Sequence, residues 1–286
     1  MKFSRRDFLK FSGAAAAFTI SSCSTVGWKN ARDAMPASLK ELDAEAAADP
    51  VLRLMNRGGY GPRPGELERA RDMGLEAYLE EQLSPEDLDD RAADMMIRGL
   101  TYYPMEIDWL LNQDARDASA ELLVATIARA VYSRRQLNEA MVEFWSDHFN
   151  IYLRKNQFMP FLKLVDDRDV IRPHALGKFQ DLLFASARSP AMLVYLDNVQ
   201  SSREAPNENY ARELMELHTL GVDGGYNQRD VEELARALTG WGTARQGAGR
   251  VQFVFHSGRH DHGEKLFLAK ELPAGSTDAD GLEALA

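Results

Sequence analysis

Apolar residues recur every three or four positions along most of the chain, the spacing that places them on one face of a helix. Asp49-Pro50 predicts a helix start and Gly58-Gly59 its end. Residues 118–149 contain no proline or glycine, so we expect one or two long helices there, with any break near Ser133. Further helices are expected at 158–165, 175–187, 190–196, 208–220 and 230–238. The pattern therefore predicts a mainly α, multi-helical globular domain.

One segment departs from the helical period. Val251, Phe253 and Phe255 alternate with polar residues, and residues 266–268 are apolar enough to return, which predicts one small β-hairpin near residues 250–269. The chain contains no internal repeat, no glycine pattern of a nucleotide-binding loop and no G-x-S-x-G elbow. Residues 278–286 resemble the first turns of an amphipathic helix without a stop signal, so we expect a chain truncated at its C-terminus.

Composition narrows the class of protein. With 286 residues, 45% hydrophobic and 27% charged, the chain is long enough for one large or two modest domains. The net charge is −10, and the first 22 residues contribute +3, so the remainder carries −13. Such an acidic surface argues against nucleic acid as a partner.

The N-terminus has the features of a targeting segment. Residues 4–10, SRRDFLK, precede a mildly apolar run at 11–22, and together they resemble a twin-arginine export signal. The run is too short and too rich in small residues for a permanent membrane helix, which needs about 20 apolar residues. Ile20-Ser21-Ser22-Cys23 resembles a bacterial lipobox, which implies that Cys23 is lipidated and anchors the protein to a membrane. Because Cys23 is the only cysteine, disulfides and C-x-x-C-H haem attachment are excluded.

These signals divide the chain. We expect a signal peptide at 1–23, a flexible tether at 24–45 and a helical domain at 46–286. The protein would pass through the twin-arginine translocase and reside in the periplasm or at the cell surface.

Several separate segments carry a family resemblance. In order, they are LMNRGGYGPRPGE, EFWSDHFN, IRPHALGKFQDLL, PAMLVYLDN, PNENYARELMELHTLGVDGGY, ALTGW and RHDHGEK. Between Val51 and Lys270 the chain resembles the bacterial family called domain of unknown function 1800. The resemblance implies export, a mostly helical fold and further helices beyond residue 286. It implies no reaction, because the family's activity is not established.

The segment NENYARELMELH is the first candidate site. At 100° per residue, Arg212, Glu213 and Glu216 share a stripe with Asn209, whereas His218 falls on the opposite face. Glu213 and Glu216, spaced i,i+3, would present oxygens to a metal ion if a second helix supplied more ligands. Alternatively, Arg212 and other basic residues neutralise the carboxylates in an ion-pair network, which we favour because no Glu-x-x-His pattern is present.

Two histidines are expected to point inward from different helices. His148 lies on the apolar face of EFWSDHFN, and His218 lies on that of the second motif. A lone histidine on an apolar face is usually a hydrogen-bonded core residue. If the two faces meet, His148 and His218 would form a buried pair that binds metal or carries protons.

The predicted hairpin contains His256, His260, Asp261 and His262. On an extended strand, His260 and His262 would share a face, as metal-binding H-x-H pairs do. Alternatively, His260 and Asp261 close a turn and pair with Lys265.

Two functions remain open. The first is an exported, metal-assisted hydrolytic or oxidative enzyme, since the twin-arginine route carries folded proteins, often with cofactor bound. The second is a lipid-anchored scaffold that binds a polymer or a partner without catalysis. For the enzyme, the expected catalytic residues are Glu213, Glu216, His148 and His260, with contributions from Asp197 or Glu208. The same four residues and Asp261 would hold a divalent metal, supported by Asn209, Arg212 and His218.

Overall fold

A computed structural model describes residues 49–246, 250–275, 277, 281, 284 and 285. The predicted signal peptide, Cys23 and the tether lie outside the described residues, as does most of the segment 278–286. No helix in the described ranges has the length and apolar character needed to cross a membrane.

The fold is mainly helical, as the spacing of apolar residues predicts. Its α-helices are α1 (Pro50–Arg57), α2 (Glu66–Met73), α3 (Leu75–Leu83), α4 (Arg91–Arg98), α5 (Ile107–Leu110), α6 (Ala115–Tyr132), α7 (Gln136–His148), α8 (Met159–Asp166), α9 (Arg172–His174), α10 (Phe179–Ala187), α11 (Pro190–Tyr195), α12 (Glu208–Glu213) and α13 (Gln228–Ala237). Two π-helical segments, Asp167–Ile171 and Leu214–Thr219, continue α8 and α12. Short 3-10 turns lie at Pro85–Asp87, Asn198–Gln200 and Ser257–Arg259.

Helix α8 lies at the centre of the main core. All its residues except Val165 are buried, and it packs against α6 and α11. The burial extends to two charged side chains: Lys163 and Asp166 pair at 3.0 Å, and the Ser189 hydroxyl donates to Asp166 at 2.6 Å. Pairing offsets the cost of placing both charges in the interior.

The long proline-free segment is divided where the sequence predicts. Helix α6 ends at Tyr132 and α7 begins at Gln136, with Ser133 fully buried between them. The Ser133 hydroxyl donates to the Asp90 carboxylate at 2.6 Å, which also accepts from the backbone N–H of Arg134 at 2.6 Å. The break is therefore a hydrogen-bonded joint.

Proline explains the first π-helical segment. Pro173 has no N–H, and its ring crowds the carbonyl four residues earlier, so the turn before it widens. The imidazole Nδ1 of His174 donates to the carbonyl of Val170 at 2.7 Å, which satisfies a polar group in this distorted turn.

The strands pair differently from the prediction. Strand β2 (Arg250–Phe255) does not return through residues 266–268; it pairs antiparallel with the preceding strand β1 (Trp241–Gln246), with Trp241 opposite Phe255. A second hairpin joins β3 (Lys265–Phe267) to β4 (Lys270–Leu272). The sequence WGTARQ of β1 has Trp241 as its single large apolar residue, so alternation could not reveal it.

Candidate functional site

A cavity of about 480 Å³ opens between the end of α7 and the junction of α12 with its π-helical continuation. It contains both histidines of the two helical motifs. Its lining residues are Asp147, His148, Asn150, Tyr195, Leu196, Glu213, Leu217 and His218. We call it the histidine cavity.

His148 is held in place from two sides. Its Nε2 atom donates to the backbone carbonyl oxygen of His218 at 2.9 Å. Its ring also makes edge contacts with Phe149 and Phe179, at centroid distances of 4.8 and 6.1 Å. The carbonyl fixes the proton on Nε2, so the neutral ring carries its lone pair on Nδ1. Within the described residues, Nδ1 makes no hydrogen bond.

His218 is the more buried partner, with 5% of its surface exposed. Its ring centroid lies 6.2 Å from that of His148, so the two predicted inward faces meet. Burial, and secondarily the neighbouring His148, lowers the pKa of His218 to about 4. His218 is therefore neutral at pH 7, and in the described part of the chain its ring has no hydrogen-bond partner. It offers a ligand in the cavity one donor and one acceptor.

Glu213 also lines this cavity, which corrects the prediction that His218 and Glu213 lie on opposite faces. That prediction assumed 100° per residue, but Leu214–Thr219 is π-helical. The backbone N–H of Leu220 bonds to the carbonyl of Met215, five residues earlier, as in the wider π turn. Residues five apart, such as Glu213 and His218, consequently come to one side.

The charged residues lining the cavity are acidic. Asp147 and Glu213 both line it, and neither carboxylate has an ion-pair partner among the described residues. The ammonium group of Lys155 bonds to the carbonyl of Tyr195, a lining residue, and pairs with the Asp197 carboxylate at 2.7 Å. The cavity thus favours cations and hydrogen-bond donors.

The family model described as "Protein of unknown function (DUF1800)" matches residues 53–286. The chain belongs to this family. A second model, for the twin-arginine translocation pathway signal sequence, matches residues 2–19, so this DUF1800 member is exported by the twin-arginine route and engages its translocase. No curated protein and no solved structure matches the chain.

Other residues predicted for the site of this DUF1800 protein do not line the cavity. Glu216 is half-buried on α12's continuation and lies outside the lining. Asn209 is exposed, and Arg212 bonds to Gln228 at 2.9 Å and to Glu208 at 3.5 Å. The expected neutralisation by Arg212 thus reaches Glu208, which is exposed.

His260 and Asp261 belong to a separate joint beside the strands. His260 is fully buried, and its Nδ1 donates to the Thr239 carbonyl at 2.7 Å. Asp261 pairs with Arg236 at 2.7 Å and accepts from the N–H of Gly263. Gly240, at φ 78°, permits this approach, since a Cβ there would lie 2.7 Å from the His256 carbonyl.

The predicted strand carrying His260 and His262 is instead a turn. Residues 257–259 form a 3-10 turn, and residues 260–264 are not in a strand. The two rings meet edge-on at 5.0 Å, and Nε2 of His262 donates to the Ser257 carbonyl at 3.1 Å. The expected pairing with Lys265 is made through backbone atoms, because its ammonium donates to the carbonyls of Asp261 and Gly263.

In the described part of the chain, no three His, Cys, Asp or Glu side chains are gathered closely enough to hold a metal ion. The histidine cavity contains His148 and Glu213 of the predicted set, but not Glu216, His260 or Asp261.

Sequence reasoning overlooked part of the cavity. Asn150 and Tyr195 line it, although His148 and Asp197 are the residues predicted from their motifs. Asn150 follows the end of α7 by two residues, a position where polar residues often serve the helix terminus. The sequence EFWSDHFN therefore contributes three lining residues, Asp147, His148 and Asn150.

Proposed function

We propose that this protein is an exported hydrolase whose reaction takes place in the histidine cavity, with His148 as the general base. The observation that carries the proposal is the 2.9 Å bond from His148 Nε2 to the His218 carbonyl. A histidine whose one nitrogen is fixed by a carbonyl presents the other as a base of defined orientation. Of the two expected reaction types, hydrolytic and oxidative, acid–base groups of this kind support hydrolysis.

The proposed reaction uses water as nucleophile. Nδ1 of His148 accepts a proton from water while the water oxygen bonds to an electrophilic carbonyl carbon of the substrate. The leaving group then departs with the proton held by the imidazolium. The His218 carbonyl and the Glu213 carboxylate stabilise the imidazolium, because both place negative charge in the same cavity.

His218 has a different role in this scheme. As a neutral imidazole it donates a hydrogen bond to the substrate carbonyl oxygen, on which negative charge develops. A charged His218 would repel the cationic form of His148 beside it.

The location of the reaction follows from export. Twin-arginine export places the folded domain beyond the cytoplasm, and we propose that Cys23, after lipidation, keeps it at a membrane surface. A substrate belonging to the cell envelope is consistent with that position.

The test compares matched variants of the exported, purified protein on a panel of ester and amide substrates. His148→Gln should lower kcat/KM by about 100-fold or more, the contribution of a general base. Glu213→Gln should lower it less, since it stabilises charge without transferring a proton. Glu216→Gln is the control for Glu213, because it lies in the same helix outside the cavity.

Three outcomes would overturn the proposal. The first is no turnover on the panel by a folded protein that still binds envelope polymers, which would favour the scaffold. The second is equal loss of activity in Glu213→Gln and Glu216→Gln. The third is a stoichiometric divalent metal that is present in the wild type and missing from Glu213→Gln, which would replace the histidine base by a metal-bound water.

A further inference from the structure

A second cavity, of about 380 Å³, adjoins the histidine cavity along α7. The two share one lining residue, Asp147. The second cavity lies between α6, α7, Tyr60 and the buried Arg172. Asp147 is therefore the residue that a ligand bound across both cavities would contact.

The basic residues of the second cavity are already paired. Arg172 bonds to Glu139 at 2.8 and 3.0 Å and to Asp167 at 3.0 Å. Lys163 pairs with Asp166. Both basic side chains are therefore held by carboxylates and are not free to bind an anionic ligand.

Another part of the second cavity is lined by aliphatic side chains and by one hydrogen-bonded carboxylate, Glu143. Glu143 accepts a hydrogen bond from the Tyr60 hydroxyl, whose pKa is raised by burial and by this bond. Aliphatic side chains form the wall: Leu122, Ile127, Ala130 and Val142. Ile127 is 53% exposed, so ligand contact would remove apolar surface from water.

Asp147 differs from the other acids that line the second cavity. Within the described residues, its carboxylate makes no hydrogen bond and no ion pair, whereas Glu139, Glu143 and Asp167 each have a partner. It is exposed and lies at the junction of the two cavities. An aliphatic wall next to a single unpaired carboxylate matches an alkyl chain that carries an ammonium group.

We propose that the second cavity is a substrate subsite for an aliphatic chain bearing an ammonium group, which Asp147 binds. The proposal rests on the proposed hydrolase, because it names the substrate group next to the bond that the water activated by His148 cleaves. Lysine side chains and N-acylated polyamines both carry this chemistry.

Binding to the full chain at pH 7 tests the subsite with three six-carbon probes: hexylammonium, hexanol and hexanoate. Hexylammonium should bind about tenfold more tightly than hexanol, the value of one charge-assisted hydrogen bond, and hexanoate should bind most weakly. Asp147→Asn should remove the preference for hexylammonium and leave hexanol binding unchanged.

A second pair of variants tests the apolar wall. Ile127→Ala should weaken hexylammonium and hexanol together, by about three- to tenfold. Val131→Ala is the control, because it is equally exposed on α6 and does not line the cavity. Both positions are solvent-exposed, so both variants should fold, which circular dichroism would verify.

The subsite is overturned if the wild type binds none of the probes, binds all three equally, or keeps its preference in Asp147→Asn. An acetyl-lysinamide probe that competes with hexylammonium indicates a peptide source, and competition by 1,5-diaminopentane alone indicates a polyamine. The subsite and the hydrolase can fail separately. Probe binding should persist in His148→Gln and reports only on the subsite. The activity of the same variant reports only on the hydrolase.

Discussion

Glu213 and His218 line one cavity although they lie five positions apart, because the helix that carries both widens to a π-helix after Glu213. The widened turn also brings the His218 carbonyl within 2.9 Å of His148. A regular α-helix would not present both features on that side. The π-helical segment is therefore the element that assembles the site from two helices.

The burial of His218 predicts a particular pH dependence of stability. Its pKa is about 4 when folded and about 6.5 when unfolded, so between these values the unfolded state binds the extra proton. The contribution of His218 to the free energy of unfolding should be constant above pH 6.5, fall as the pH drops toward 4, and become constant again below pH 4. The full loss from this residue is about 3 kcal/mol.

Denaturant unfolding of the wild type and His218→Gln over pH 4–7.5 checks this prediction. The stability difference between the two proteins should shrink as the pH falls, because the variant has no proton to bind at this position. A difference that stays constant across the range would show that folding does not lower the pKa of His218.

Arg172 should be essential for stability. Its guanidinium forms ion pairs with two carboxylates, Glu139 and Asp167, each with a side-chain exposure of 7%. Arg172→Leu would leave both charges buried and unpaired, so we expect a loss of about 3–5 kcal/mol in the free energy of unfolding. Arg212→Leu is the matched control, since its pair with Glu208 is exposed and should cost less than about 1 kcal/mol. Equal losses in the two variants would contradict the prediction.

Local patterns predict much of the helical fold and less of the site. The joint at Ser133 follows from the sequence because a polar residue interrupts an otherwise continuous apolar period. The cavity does not, since a period of 3.6 residues assigns Glu213 and His218 to opposite faces. Strand β1 could not be predicted either, because its own residues show little strand pattern and it forms by pairing with β2.

The chemistry of single residues shows the same limit. An H-D-H run is compatible with a metal site or with a turn, and the outcome depends on Arg236, which lies 25 residues before Asp261. Helix spacing gives no measure of such a distant partner. Residue types therefore name the candidates, and tertiary contacts decide which of them meet.

Asp261 is expected to stabilise the fold in a pH range distinct from that of His218. The hydrogen bonds from Arg236 and Gly263 hold its pKa at about 2, below the ordinary 3.8. Its stabilising effect should be complete above pH 3.8 and should be lost as the pH falls toward 2, where the carboxyl binds its proton in both states.

A double-mutant cycle with Asp261→Asn and Arg236→Gln measures this pair. Each single variant should destabilise by about 1–3 kcal/mol, the usual worth of a hydrogen bond to a charged group, and the double variant by less than the sum. Strict additivity would show that the two side chains do not interact in solution. The proposed hydrolytic activity should be retained in Asp261→Asn at temperatures where it is folded, because Asp261 does not line the histidine cavity.

Variants of the N-terminal segment should separate export from membrane anchoring. Replacing both arginines of the signal, Arg5→Lys with Arg6→Lys, should leave the protein in the cytoplasm, since the translocase recognises the arginine pair. Cys23→Ser should still be exported but should be recovered in the soluble fraction, because it lacks the thiol that we propose carries the lipid. Fractionation of cells followed by detection of the helical domain distinguishes the two defects. Recovery of exported Cys23→Ser in the membrane fraction, at the level of the wild type, would show that something other than a lipid on Cys23 holds the protein there.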